Sequence, residues 1–135
     1  MKRILIRDDD ACYFTSPEIL NRLYHRLLER SLPVNLSVIP KVSCSTPLPF
    51  GTANPYFDGH LQHEPFIPPE FRGLLESYEV GDNKNLVKYI RGNPLLAVTQ
   101  HGVTHDQSDL AFLSGEVPNS FSEALHQGKA VLKKA

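Results

Sequence analysis

The chain has 135 residues, of which 41% are hydrophobic and 21% are charged, and its net charge is −1. These values are typical of a single folded domain and exclude an intrinsically disordered chain. Because there is no basic surplus and no apolar run of about 18 residues, we expect neither a nucleic-acid partner nor a membrane partner.

The first predicted element is a short strand that ends in acid. Residues 2–6 are a short run that ends in Ile4-Leu5-Ile6 with two β-branched side chains, and the carboxylates Asp8, Asp9 and Asp10 follow them almost at once. Such a run predicts a buried strand, with the three aspartates lying just past its carboxyl end.

A helix and a second strand follow. Thr15 and Glu18 form a capping-box pattern, and residues 19–28 carry an apolar stripe with helical spacing. Residues 34–39 then predict the second strand. Two strands joined by a helix pair in parallel, so the sequence predicts an α/β fold built from parallel βα units.

A proline-rich segment occupies residues 40–69, which hold seven of the eleven prolines. This composition predicts a long ordered loop without a regular ladder, leaving from the carboxyl edge of the sheet. It is interpreted either as a lid that contacts substrate or as a structural cover. His60 and His63 lie in it and are candidates for substrate contact or for solvated loop residues.

The remaining helices and strands are predicted from helix-capping residues and from the periodic spacing of apolar residues. Asp82 is expected to cap the clearer of two further helices, and Ser120 begins a capping box. The predicted segments are a short helix at 71–77, a helix at 83–91, a strand at 95–99, a polar loop at 105–119 and a final helix from 120 to 135.

The predicted chemistry lies where two strands end. Residues 100–105 read Gln-His-Gly-Val-Thr-His, so His101 and His105 have i, i+4 spacing just after the last strand. Carboxylate and imidazole are ligands that a divalent metal takes in proteins. The sequence therefore predicts a metal site, with a neighbouring carboxylate as the base that deprotonates water.

These two segments resemble a family. Residues 6–11 resemble the first motif of the polysaccharide deacetylases (chitooligosaccharide deacetylase homology domain), a strand that ends in Thr-Phe-Asp-Asp-Gly, and residues 101–105 resemble the second, His-Ser/Thr-x-x-His. The resemblance implies that Asp9 is the catalytic base.

By the same resemblance, Asp10, His101 and His105 hold a divalent ion, with Zn²⁺ expected. A register shifted by one residue would move the roles of base and ligand to Asp8 and Asp9 instead. The resemblance also implies a metal-dependent hydrolase that removes an acetyl group from a carbohydrate substrate.

The match covers only the N-terminal part of the family domain, a distorted (β/α) barrel. Ala11 stands where the family has glycine and Gly102 where it has Ser or Thr, and the later family motifs have no counterpart in residues 1–135. The alternative hypothesis is therefore a catalytically incomplete fragment or binding module. Such an open half-barrel is expected to form a homo-oligomer through its exposed edge.

The cysteines and one tyrosine complete the candidate residues. Cys12 and Cys44 are expected to be free thiols, as in a cytoplasmic protein, because the N-terminal apolar stretch is too short for a signal peptide. Tyr13 follows the aspartates and is interpreted either as packing against the first helix or as contacting the sugar.

Overall fold

The structure is a computed structural model that describes residues 5–44, 66–105 and 118–135. The predictions made for His60 and His63, and for most of the proline-rich segment, lie outside these ranges. Along the described chain the elements are β1 (Ile6–Ala11), α1 (Pro17–Glu29), β2 (Val34–Val38), β3 (Lys41–Ser43), β4 (Ser77–Glu79), α2 (Lys84–Arg91), β5 (Leu96–Gln100) and α3 (Pro118–Lys134).

The central element is a parallel sheet of three strands in the order β1-β2-β5. Val34 is paired with Ile6 on one side and with Leu96 on the other, so β2 is the middle strand. The predicted α/β class with parallel pairing is confirmed. Within the described ranges neither sheet closes on itself.

Strand β1 ends later than predicted and is not regular. The aspartates belong to the strand rather than following it, because β1 continues to Ala11. Asp8 pairs with Leu36 whereas Ala11 pairs with Val38, so β1 carries one extra residue over this stretch. This irregularity is a β-bulge, a feature that bends a strand and redirects a side chain.

Helix α1 begins one residue later than its predicted cap. Ser16 is the N-cap: its hydroxyl oxygen accepts from the Glu18 amide and its hydroxyl donates to the Glu18 carboxylate. Thr15 instead accepts a hydrogen bond from the amide of Cys12 at 2.9 Å. The prediction that Thr15 caps the helix was wrong because two adjacent hydroxyl residues fit the same pattern.

A second, antiparallel sheet was not predicted. Lys41 pairs with Glu79 and Ser43 with Ser77, which joins β3 to β4. The loop prediction for residues 40–69 is therefore wrong at its start, and the helix predicted over 71–77 is absent from the described structure. A 3₁₀ turn at Pro69–Phe71 and the strand Ser77–Glu79 occupy that part of the chain.

The two later helices also differ from prediction at their first residues. Asn83, not Asp82, caps α2, and its side-chain oxygen accepts from the Leu86 amide at 3.0 Å. Helix α3 begins at Pro118, before the predicted cap at Ser120. Proline is common in the first turn of a helix because it has no amide hydrogen to satisfy there.

The main core lies on the sheet face that Val34, Leu36 and Val38 share. These three side chains are at most 1% exposed and pack with Leu20 of α1 and Leu86 of α2. Residues near the end of α3 pack against the same cluster. Alternation along the central strand therefore directs one apolar face toward the helices and leaves polar residues on the other.

A smaller cluster lies at the carboxyl end of the sheet. It consists of the buried residues Cys12, Ile39, Val42 and Ile67, with aromatic side chains packed around them. Cys12 and Cys44 are both buried free thiols, as predicted. None of the described helices has the length and apolar character needed to span a bilayer.

Candidate metal centre

Asp10 is directed into the centre by the bulge in β1. Its backbone has φ of 67°, in the left-handed region, where aspartate is one of the few tolerated non-glycine residues. The extra residue between Asp8 and Ala11 breaks the alternation of side chains. Asp10 is therefore directed differently from a regular strand residue.

The two histidines lie on a tight loop after β5. The loop needs left-handed backbone twice, at Gly102 with φ of 56° and at His105 with φ of 55°. The first position explains the glycine, since serine or threonine would be strained in this conformation. The glycine at position 102 is therefore explained by the backbone conformation of the loop.

Neighbouring strands fix the main chain of this loop. The His101 amide donates to the carbonyl of Val38 at 2.8 Å, which extends the β2–β5 ladder by one bond. Further along the loop, the carbonyl of Val103 accepts from the Lys41 amide at 3.0 Å and that of Thr104 accepts from the Ser43 amide at 3.1 Å. The unpredicted strand β3 thus holds the histidine loop.

Asp10, His101 and His105 are brought together as the sequence predicted. Asp10 Oδ1 lies 3.0 Å from His101 Nε2 and 3.2 Å from His105 Nε2. The two imidazole rings are tilted by 33° with centroids 5.1 Å apart. Three potential ligand atoms lie within 4.8 Å of one another, on half-buried side chains.

The spacing and the hydrogen bonding of this group suit a divalent cation. Tetrahedral bonds of about 2.0–2.1 Å separate ligand atoms by about 3.3 Å, close to the two distances found here. Asp10 Oδ1 is buried and lies at ion-pair distance from both imidazole nitrogens, although neither contact has good hydrogen-bond geometry. A buried carboxylate oxygen that faces two imidazole nitrogens in this way is placed to share a cation with them.

Electrostatics favour the anionic form of this carboxylate. Contact with the His101 imidazole, followed by contact with that of His105, holds the pKa of Asp10 well below its usual range despite its burial. An ionised carboxylate and imidazole nitrogens form the ligand set that Zn²⁺ accepts.

The other two aspartates have different partners. Asp9 accepts from Arg7 Nε at 2.6 Å, and both side chains are about half exposed. Asp8 faces Tyr24 of α1, where burial and then the Asp8 carboxylate raise the pKa of Tyr24 to about 12. Neither carboxylate belongs to the group of potential ligands.

Aromatic side chains lie beside the centre. Phe66 meets the His105 ring edge to face, with centroids 5.4 Å apart. Tyr13 is stacked on Tyr78 at 4.8 Å and packs edge-on against Phe14 at 5.1 Å. The structure thus places Tyr13 in a cluster of partly buried aromatic rings at the carboxyl end of the sheet.

Sequence reasoning missed one residue that contacts the histidine loop. Gln100 Nε2 donates to the carbonyl of Gly102 at 2.9 Å and to that of Leu125, in α3, at 3.3 Å. Its position directly before His101 carries no periodic signal, and its partner in α3 is distant in sequence.

Comparison with known proteins found no similar sequence or structure. No family model, no curated protein and no solved structure matches this chain.

Proposed function

We propose that the protein is a metal-dependent hydrolase of the polysaccharide deacetylase type, which removes an acetyl group from a carbohydrate. The observation that carries the proposal is the convergence of two imidazole nitrogens on Asp10 Oδ1, at 3.0 and 3.2 Å. Asp10, His101 and His105 would hold the cation, and Zn²⁺ fits this ligand set best.

A divalent cation held there supplies a Lewis acid that polarises an acyl oxygen and makes a water molecule easier to deprotonate. In this proposal Asp9 is the base that accepts the proton. Arg7 orients the Asp9 carboxylate through its Nε contact at 2.6 Å, and a second Arg7 nitrogen donates to the Ser37 hydroxyl at 3.3 Å.

The sheet geometry supports an active site at this position. In open α/β sheets, ligands bind outside the carboxyl ends of the strands, and Asp10 and His101 lie at the carboxyl ends of β1 and β5. The parallel βα units accord with the first half of a (β/α) barrel, which remains part of the proposal.

Aromatic rings at the carboxyl end of the sheet support the substrate class, because they pack against the same buried cluster as Phe66, the ring that contacts His105. A continuous set of ring contacts joins Tyr13 and Phe14, just after the aspartate-bearing strand, to Phe71 and Tyr78. Aromatic walls with a few placed polar groups are typical of small-molecule sites.

We include cytoplasmic location in the proposal, because two buried free thiols accord with a reducing compartment.

Zinc titration calorimetry tests the ligand set. Wild type is expected to bind one Zn²⁺, whereas the His101→Ala/His105→Ala variant should bind at least about 100-fold more weakly, since outer-shell changes alone cost about 10–100-fold. The matched control is His25→Ala/His126→Ala, which removes two helical histidines outside the ligand group, each with its Nδ1 atom at a carbonyl of its own helix. Equal binding by wild type and the first variant would refute the site.

Acetate release tests the reaction. With zinc present, wild type is expected to release acetate from N-acetylglucosamine oligomers or from acetylated xylan. Asp9→Asn should abolish this activity while zinc still binds, because Asp9 is outside the ligand group. Zinc binding without release from either substrate would reject the enzyme and leave a metal-binding module.

A second candidate function is self-association through β5. Strand β5 pairs only with β2 in the described sheet, and Val98 on it is 43% exposed. Val98 lines an apolar groove with Ile90 and Leu132. An uncharged edge strand beside an apolar groove favours pairing with a second copy of the chain. Light scattering that shows a monomer at all concentrations would exclude this candidate.

A further inference from the structure

Gln100 connects the histidine loop to the last helix. It is the final residue of β5, and its side-chain amide donates both to Gly102 in the loop and to Leu125 in α3, at 2.9 and 3.3 Å. A single NH₂ group has two hydrogens, so it can serve both carbonyls at once. The loop is therefore attached to a helix that begins well after it in the chain.

Three consecutive carbonyls of the loop are fixed by three separate donors. Those of Val103 and Thr104 accept from backbone amides of β3, at 3.0 and 3.1 Å. The carbonyl of Gly102 accepts from the Gln100 side chain instead. Gly102 is also one of the two loop residues with left-handed backbone. The side-chain bond thus supports the peptide that turns the chain between the two histidines.

A glycine in α3 provides the space for this amide. Gly128 is buried, and a Cβ at that position would stand less than 3.0 Å from Gln100 Nε2, 3.1 Å from Gln100 Cδ and 3.1 Å from Pro40 Cγ. Glycine in a helix interior is destabilising relative to alanine. A glycine at this buried position is accounted for by the close approach of the Gln100 side chain, with Pro40 also near.

We propose that Gln100 is a positioning residue of the metal centre, seated in the recess that Gly128 leaves in α3. It acts by holding the Gly102 carbonyl, and thereby the spacing of His101 and His105 from Asp10. The inference rests on the proposed function in one respect, namely that the centre binds a divalent cation. It adds a residue outside the ligand set and assigns a role to α3.

The first variant is Gln100→Glu, which keeps the length of the side chain but replaces the donor with a carboxylate. An ionised carboxylate opposite two carbonyl oxygens repels them. Zinc affinity is expected to fall about tenfold, the lower end of the effect of outer-shell partners. The visible spectrum of the Co²⁺-loaded protein should change as well. Gln127→Glu is the matched control on exposed α3 surface and should change neither quantity.

The second variant is Gly128→Ala, which places a methyl group against the Gln100 amide. Alanine raises helix propensity, so loss of helix α3 would not account for weaker binding. Zinc affinity is again expected to fall about tenfold. In Gln100→Ala/Gly128→Ala the added methyl should cost less zinc affinity than it costs in Gly128→Ala alone, because its contact with the Gln100 amide is gone and only its contact with Pro40 remains.

The outcomes separate the two proposals. If wild type binds no zinc, both are overturned. If wild type binds zinc and both Gln100→Glu and Gly128→Ala bind with the same affinity and the same Co²⁺ spectrum, the positioning role alone is overturned. A lower melting temperature with unchanged zinc affinity would also overturn it, because it would show a purely structural contact.

Discussion

Asp10 and His105 approach each other to 3.2 Å through their side chains, and both have left-handed backbone, with φ of 67° and 55°. Ser31 is the one other non-glycine residue with positive φ in the described ranges. Such conformations cost about 1–3 kcal/mol each and tend to cluster at functional sites. The centre therefore depends on unusual backbone as well as on side-chain identity.

Asp10→Asn should separate binding from folding. Asparagine tolerates left-handed backbone as aspartate does, so the bulge can persist while the charge is lost. We expect zinc affinity to fall by more than about 100-fold, beyond the range for outer-shell partners. Calorimetry and the melting temperature check this prediction. An unfolded variant, or one that still binds zinc like wild type, would contradict it.

Asp8→Asn distinguishes between the two registers considered for the aspartates. Asp8 faces Tyr24 in α1 rather than the histidines, so the variant should keep zinc affinity within about twofold, a difference well under 1 kcal/mol. The same titration provides the readout. A loss comparable to that of Asp10→Asn would favour the shifted register.

Gly102→Ala tests the loop conformation. Alanine at φ of 56° costs about 1–2 kcal/mol, so the free energy of unfolding should fall by about that amount. Zinc affinity should fall with it, because Gly102 joins the two histidine positions. Gly102→Asn is the control and should lose less stability, since asparagine accepts this region. Urea denaturation of the three proteins gives the comparison.

Stability should decline at alkaline pH. The pKa of Tyr24 is raised to about 12, first by burial, and the pKa of Tyr78 is raised to about 12, first by its hydrogen bond to Glu76. A tyrosine whose pKa is higher in the folded protein than in the unfolded chain adds to the free energy of unfolding. This contribution is complete below the unfolded-state pKa of about 10 and is lost as the pH rises through the folded-state pKa.

Denaturant unfolding at a series of pH values should therefore show the free energy of unfolding falling between pH about 10 and about 12. In Glu76→Gln the Tyr78 hydroxyl loses its carboxylate partner, and its pKa, followed by tyrosinate absorbance, should move down toward about 10. An unchanged titration in that variant would mean that Glu76 is not the cause.

The two thiols should be unreactive in the folded protein. Cys12 and Cys44 are each 0% exposed, and burial raises the pKa of Cys12 to about 11. Because the thiolate is the reactive form, labelling with a thiol reagent at neutral pH should be slow until denaturant is added. Rapid labelling of Cys12 in native protein would contradict the packing of the small core cluster, and rapid labelling of Cys44 would contradict its burial.

The parallel sheet was predictable because its strands are apolar runs with a helix between β1 and β2. That the aspartates and the two histidines meet was predictable for the same reason, since parallel strands end at one edge, whereas Asp10 in particular was expected only from the family resemblance. The bulge in β1 was not predictable, because three identical aspartates give no sign of which one adopts positive φ. Periodicity also cannot show that β3 and β4 pair, since each has only three residues and prolines dominate the segment between them.

The predicted N-cap residue was wrong where two residues that can cap a helix are adjacent, as with Thr15 and Ser16 or with Asp82 and Asn83. In both cases the second residue is the N-cap in the structure. The contact between Gln100 and Gly128 was beyond sequence patterns for a different reason. The contact depends on the absence of a side chain at Gly128, and the periodic spacing of hydrophobic residues gives no information about such a space.

The distance along the chain between Asp10 and His101 has a kinetic consequence. A cation bound by both would close a loop of roughly ninety residues, and closing so long a loop is slow and entropically costly. During synthesis the aspartate strand leaves the ribosome first, and the metal centre cannot form until β5 and the histidine loop have also been made. If Gln100 needs α3 in place, full zinc affinity would arise only after α3 has docked. The metal would then bind after these elements have come together rather than act as a nucleus for folding.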